Sequence, residues 1–265
     1  MLRPRLASSI PFVLMGSACV FESERRPQVD VNVAAASSYV FRGQTFNERP
    51  VAQFDTLLRL PTKDAGSVSV GAFGNLDLTD GVGDAWADGD HRGEFTQLDT
   101  FVGYDRKLGD VEVGAGLRHY SWPNGETFRF APFPSTTEAF ARVGGELAGL
   151  GVALTAHYDI DEVTSLYLRG ELSRVLPLRP GLDLEALLWL GWSDADHSAW
   201  LYRTSTAAFA DLGGSLALRL QLDDVTTARV QVSGSTIVDD GLRDWFAGKI
   251  DADVLWFTVG LGWAF

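Results

Sequence analysis

The chain of 265 residues contains one cysteine, Cys19, and only four histidines and two methionines. A single thiol excludes any intrachain disulfide and any cysteine cluster of the kind that holds structural zinc. A nearly thiol-free chain suits passage through an oxidising compartment. Lysine and arginine together number 22 against 35 acidic residues, a formal net charge of −13. That balance speaks against nucleic acid as a partner, because such partners require a basic face. Uninterrupted apolar runs of about 20 residues, the length of a membrane-crossing helix, are missing as well. Any membrane span must then be made of strands. A mean hydropathy of +0.02 fits apolar and polar residues that alternate rather than cluster.

What is present begins with an export signal over residues 1–18. Arg3 and Arg5 supply the positive start, Leu6 to Met15 a short apolar core, and Gly16-Ser17-Ala18 a small-x-small cleavage site. Cys19 follows directly, but a lipoprotein signal would place Leu where Gly16 stands, so simple cleavage is the expectation and lipidation the alternative. Residues 19–28 read as a polar tether, and 29–265 as one β domain.

Within that domain, short segments repeat with the strand period of two. Examples are Val29/Val31/Val33, Phe54/Thr56/Leu58, Val111/Val113/Ala115/Leu117 and Leu184/Ala186/Leu188/Leu190. Weaker segments cover 66–78, 137–147, 164–175 and 225–236, and the count comes to about twelve. Every second connection is short and rich in turn residues: Pro61–Gly66, Arg106–Gly109, Ala148–Gly151, Leu176–Gly181 and Leu222–Asp224. The others are generally longer, as at Thr79–Gly93 and Trp192–Ala207. This short/long alternation, with an even strand number, predicts an all-β, transmembrane antiparallel barrel of about twelve strands. Tyr39, Tyr104, Tyr120, Trp122, Tyr158, Trp192, Trp256 and Trp263 fall near strand ends, where a membrane boundary would place amphipathic rings.

The segment Leu255–Phe265 alternates bulky apolar residues with small ones and ends on an aromatic residue. It resembles the closing strand of bacterial outer-membrane β-barrels. The resemblance implies outer-membrane lipid and the barrel-assembly machinery as partners, with Phe265 and Trp263 as the assembly signal. A second resemblance lies in residues 36–53. Ser37, Tyr39, Phe41, Arg42, Gly43, Pro50, Val51 and Gln53 match the amino-terminal signature of a bacterial family of TorF-like outer-membrane proteins. That signature reads Ser-x-Tyr-x-Phe-Arg-Gly, a few polar residues, then Pro-Ala-Val-Gln. Here Val51 and Ala52 are exchanged after the proline, and Thr45-Phe46 replaces the usual Ser-Gln-Thr. The family implies an exported barrel and brings no substrate. Gly43 permits a sharp turn, and Arg42 is expected at the rim, paired to a carboxylate.

The parity of the last strand assigns charges of both signs to the lumen: Asp55, Arg59, Asp99, Glu112, Arg118, Glu138, Arg142, Glu146, His157, Arg169, Glu171, Asp183, Glu185, Asp211, Arg219 and Arg229. They either fill a narrow barrel as ion pairs or wall a small water path. Arg118, Arg142, Arg169, Glu138 and Glu171 are the candidates for solute contact. Twelve strands leave a modest bore, well short of porins with about 16–18.

Three other chemistries are represented by partial residue sets. The acidic loop 80–90 has carboxylates for a hard cation but lacks EF-hand spacing, so it reads as a solvated loop. His119, Ser121 and Asn124 offer a base, a nucleophile and an orienting amide, as in outer-membrane phospholipases, but no Asn stands on the following segment 130–147. Asp84, Asp88, Asp90 and His91 supply the residue types of a protease without a motif. The expected function is a passive pore for small solutes, with no enzyme activity, cofactor or metal. The alternatives are a scaffold or anchor barrel and, last, a lipolytic enzyme.

Overall fold

The computed structural model describes residues 26–63, 66–80, 91–123, 133–246 and 251–265. The signal segment, Cys19, most of the acidic loop and Asn124 lie outside them.

Twelve strands close into one antiparallel barrel, each paired with its sequence neighbour. They are β1 (Gln28–Ala36), β4 (Val51–Pro61), β5 (Gly66–Asp77), β6 (Phe95–Leu108), β7 (Val111–Ser121), β8 (Thr136–Leu147), β9 (Leu150–Asp159), β10 (Leu166–Arg179), β11 (Leu182–Ser193), β12 (Ala208–Gln221), β13 (Thr226–Ile237) and β14 (Asp253–Ala264). The cylinder is closed by β1 against β14, with Val31 opposite Trp263 and Val33 opposite Leu261. Closure leaves no free edge, the condition for a sheet to sit in lipid. No helix among the described residues is long and apolar enough to cross a membrane.

The expected parity holds. Leu188, Val230, Leu255, Phe257 and Val259 are all more than half exposed on the outer wall. Their neighbours Trp189, Gln231, Trp256 and Thr258 are buried inside. An apolar exterior around a polar interior inverts the soluble pattern and marks the outer band as the lipid contact.

The lower rim, where residues 28 and 265 lie, carries tight turns. Ala148 and Gly149 take φ of 53° and 79°, the paired positive angles of a two-residue hairpin that follows the strand twist. The upper rim carries the longer loops. One holds helix α1 (Ala195–Leu201), capped by Asp194, whose carboxylate accepts the His197 amide at 2.7 Å. Another holds α2 (Asp240–Phe246).

The first upper loop departs from the sequence reading. Residues 39–41 and 44–47 pair as a two-stranded hairpin, β2 and β3, separate from the barrel sheet. Thr45, Phe46 and Asn47 are all buried. The hairpin has turned into the bore, and Arg42 is buried there instead of standing at the rim. Its turn places Arg42 at φ 47° and Gly43 at φ 77°. The aromatics correct a second expectation. Tyr104 and Tyr158 do project outward, but Tyr39, Tyr120, Trp122 and Trp256 are buried inside. They stand near strand ends as expected, yet three of them pack the stopper rather than the membrane boundary.

Candidate functional site: a stoppered lumen

The hydrophobic core of this barrel occupies its upper bore. Tyr39 and Phe46 of the hairpin pack with Phe73, Tyr120, Trp122, Phe133, Trp200, Leu201, Tyr202, Ile237 and Leu242. Phe133 stacks on Trp200 at 4.6 Å between centroids and meets Trp122 edge-on at 4.7 Å. Such aromatic pairs each contribute about 0.5–1.5 kcal/mol beyond their area burial. Val40 reaches a second cluster made by Leu187, Trp189 and Trp256. Residues from several upper loops therefore meet strand residues in one plug.

Arg42 is the polar centre of the plug. Its two Nη atoms donate to the Glu138 carboxylate at 2.8 and 2.6 Å, a bidentate pair. Nη1 also donates to His197 Nε2 at 2.8 Å, and Nη2 to the Tyr120 hydroxyl at 3.3 Å. The guanidinium lies 4.3 Å from the Tyr167 ring centroid. Tyr202 donates from its hydroxyl to the Arg42 carbonyl. His157 Nδ1 sits 3.2 Å from the same Glu138 carboxylate. Accepting from a guanidinium requires a neutral imidazole at His197. Burial, and then the Arg42 charge beside it, hold this histidine well below its ordinary pKa.

Asp211, on β12, ties together two wall side chains beside the plug. It accepts from the Tyr167 hydroxyl at 2.8 Å and from Trp189 Nε1 at 2.9 Å. On the far side, Asn47 donates to Asp77 at 2.7 Å, and Tyr39 donates to Gln97.

Below the plug the wall is charged. Arg59 pairs with Asp30 at 2.9 Å. Arg219 and Arg229 hold Glu185 between them at 2.9 and 3.0 Å. Arg142 and Arg169 both reach Glu171, at 3.3 and 2.8 Å. Buried polar atoms remain without a protein partner at Arg118 Nε, Thr155 Oγ1, Arg169 Nη2, Arg229 Nη1 and Gln231 Oε1. Buried atoms of this kind are ordinarily satisfied by water.

The five solute-contact candidates thus separate. Arg142, Arg169 and Glu171 come together below the plug. Glu138 is consumed by Arg42. Arg118 stands apart, over the rings of Phe101 and Tyr120 at 5.0 and 5.9 Å. Most other charges assigned to the lumen are at least partly covered, whereas Glu146 is exposed at the lower end of β8. The sequence reading missed Arg42, His197 and Tyr202 as lumen residues. The signal available for the first was the Arg-Gly pair flanked by aromatics, an unusual composition for a solvated loop.

Most of the cation-loop and protease residues lie outside the described residues, and the phospholipase pair is not brought together. His119 is on the outer wall, and its Nδ1 meets Thr137 Oγ1 at 3.1 Å rather than Ser121. No group of three or more potential metal ligands is gathered among the described residues.

An apolar outer band, a closed twelve-stranded sheet and a lumen filled by an upper loop define a transmembrane β-barrel of the outer-membrane type. Comparison with solved structures agrees on the fold. The outer membrane channel from Pseudomonas putida F1 superposes with a TM-score of 0.59 at 11% identity, covering 95% of this chain and 100% of that one. The NanC porin gives 0.51 at 10% identity, covering 89% and 98%. No family model and no curated protein matches the sequence.

Proposed function

We propose that this protein is an outer-membrane channel for small solutes whose bore is set by its own first extracellular loop. The lower rim then faces the periplasm and the upper rim the exterior, as for barrels whose termini are periplasmic. The observation that carries the reading is the contrast along the lumen. The periplasmic half is lined by ion-paired charges, while the extracellular half is stopped by the first-loop hairpin packed with residues of other upper loops. A barrel built only as an anchor has no need of a charged half left outside its plug. The channel and porin folds named above support the same reading, as does the alternation of charges inside. The match over residues 36–53 supports placing the chain among TorF-like proteins, with an exported precursor and lipid and the assembly machinery as partners.

Planar-bilayer recording tests it. Wild-type protein is expected to give small discrete steps. A variant lacking residues 38–48 is expected to give steps several-fold larger. Silence from both would defeat the channel reading and leave the anchor in its place, which the tightly packed plug favours.

A further inference from the structure

The hairpin tip is held on two sides that differ in kind. One side is barrel wall. Glu138 of β8 takes both Nη atoms of Arg42. A Cβ at Gly43 would lie 2.6 Å from Asp211 Cβ on β12 and 2.8 Å from Ile237 Cδ1 on β13. The other side is the loop between β11 and β12. There Arg42 Nη1 donates to His197 Nε2 of α1 at 2.8 Å. Tyr202, the residue after α1, donates from its hydroxyl to the Arg42 carbonyl. Trp200 of the same helix stacks on Phe133, and Leu201 is buried in the same aromatic core.

Neither loop can keep its form alone. Helix α1 has seven residues, well below the about 12–15 at which an isolated helix becomes even marginal in water. The hairpin pairs at three positions only, Tyr39 with Asn47, Val40 with Thr45 and Phe41 with Gln44, in a sheet of its own. A lone two-stranded hairpin is marginal too. Each loop therefore takes its order from what it packs against, and part of that is the other loop.

The outer ends of both loops are tied to the barrel. Asp194, ahead of α1, accepts the Leu166 amide at 2.7 Å, and Ser198 Oγ lies 2.6 Å from Ser193 Oγ at the end of β11. At the hairpin base, Asn47 donates to Asp77 at 2.7 Å, and the Ser37 amide donates to the Phe257 carbonyl at 2.9 Å. The parts left to swing are the hairpin tip and the C-terminal end of α1, and these are the parts in contact. The wall strands are laddered on both sides, so α1 is the partner that can yield.

We propose that α1 is a clasp on the hairpin. The tip of the first loop and α1 undock as one cooperative unit, and the hairpin does not leave the bore while α1 stays in place. The part the clasp plays in opening the bore rests on the channel reading; the coupling of the two loops does not.

Hydrogen exchange of the refolded barrel, read by mass spectrometry over residues 39–47 and 195–202, tests the coupling. Heat-modifiable gel migration confirms the fold of each variant. Tyr202→Phe removes only the hydroxyl that holds the Arg42 carbonyl, and should speed exchange in both segments about five-fold. Arg42→Ala should speed both more strongly, again by one common factor, as a cooperative unit requires. Asp223→Ala, in a lower turn where the carboxylate accepts the Val225 and Thr226 amides, should loosen that turn alone. A disulfide across Ser193→Cys and Ser198→Cys, in a chain carrying Cys19→Ser, ties α1 to the end of β11. Oxidised, it should slow exchange in the hairpin as well as in the helix. The proposal is overturned if Tyr202→Phe or Arg42→Ala leaves either segment unchanged, or if the hairpin exchanges alike in the oxidised and reduced forms. Common factors with a silent bilayer would keep the clasp and remove the channel reading. Channel steps with independent exchange of the two segments would do the reverse.

Discussion

Arg42 and Glu138, 96 positions apart in the chain, meet inside the barrel through two parallel hydrogen bonds of 2.8 and 2.6 Å. Both side chains are almost completely buried. It is the bidentate polar contact between the first loop and the barrel wall.

Arg42→Ala removes the guanidinium and leaves the Glu138 carboxylate buried without its main partner. Breaking a buried pair in this way costs about 3–5 kcal/mol. The cheaper outcome is for the hairpin to leave and let water reach Glu138. Larger single-channel steps than wild type are therefore expected, together with protease cleavage near residues 40–48. Arg42→Lys keeps the charge but loses the two-pronged geometry, and should fall between the two. Wild-type conductance from Arg42→Ala would mean that the aromatic packing alone holds the loop.

Acidification should loosen the plug through His197. Its imidazole is neutral in the docked loop because burial, and then Arg42, disfavour the charged form; Glu138 acts the other way, and His157 adds to the repulsion. Tyr167, Trp200 and Tyr202 supply its ring surroundings. A histidine freed to solvent titrates near 6.5. Between that value and the lower docked pKa, the undocked state binds more protons, so docking free energy falls as pH falls. The limiting slope is about 1.4 kcal/mol per pH unit. Conductance measured from about pH 7.5 to 5 should rise below about 6.5, and His197→Gln should flatten the rise. A flat wild-type profile would discard the idea.

The barrel was legible because its cause is local. Lipid outside and polar groups inside impose a period of two, and that period is written residue by residue from Val29 to Phe265. The turns at Gly149 and Gly181 were legible for the same reason. The plug was not, because it depends on contacts between distant loops. Tyr120 and Trp122 sit at a strand end whether they meet lipid headgroups or the ring of Phe41, and only the inward fold of residues 39–47 decides which. Helix α1 is a single short element whose position depends on Asp194 reaching both its own first turn and the Leu166 amide. Among the solute candidates, parity placed Arg142, Arg169 and Glu171 on one wall. It could not say that Glu138 was already spent on Arg42.

Gly43 offers a way to evict the hairpin without touching a charge. At φ 77° an L side chain is strained by about 1–2 kcal/mol. Here a Cβ would also lie 2.6 Å from Asp211 Cβ and 2.8 Å from Ile237 Cδ1. Asp211 cannot retreat freely, since it holds the Tyr167 hydroxyl and the Trp189 indole. The turn must move instead, and with it Arg42. Gly43→Ala should therefore enlarge the conductance much as Arg42→Ala does, while the barrel keeps its heat-modifiable migration. Gly93 supplies the matched control. It has φ 84° but no atom within 4 Å of where a Cβ would stand, so Gly93→Ala carries the strain without the collision. Its conductance should equal that of wild type. Equal behaviour of the two variants would show that backbone strain, and not contact with the Asp211 wall, governs the loop.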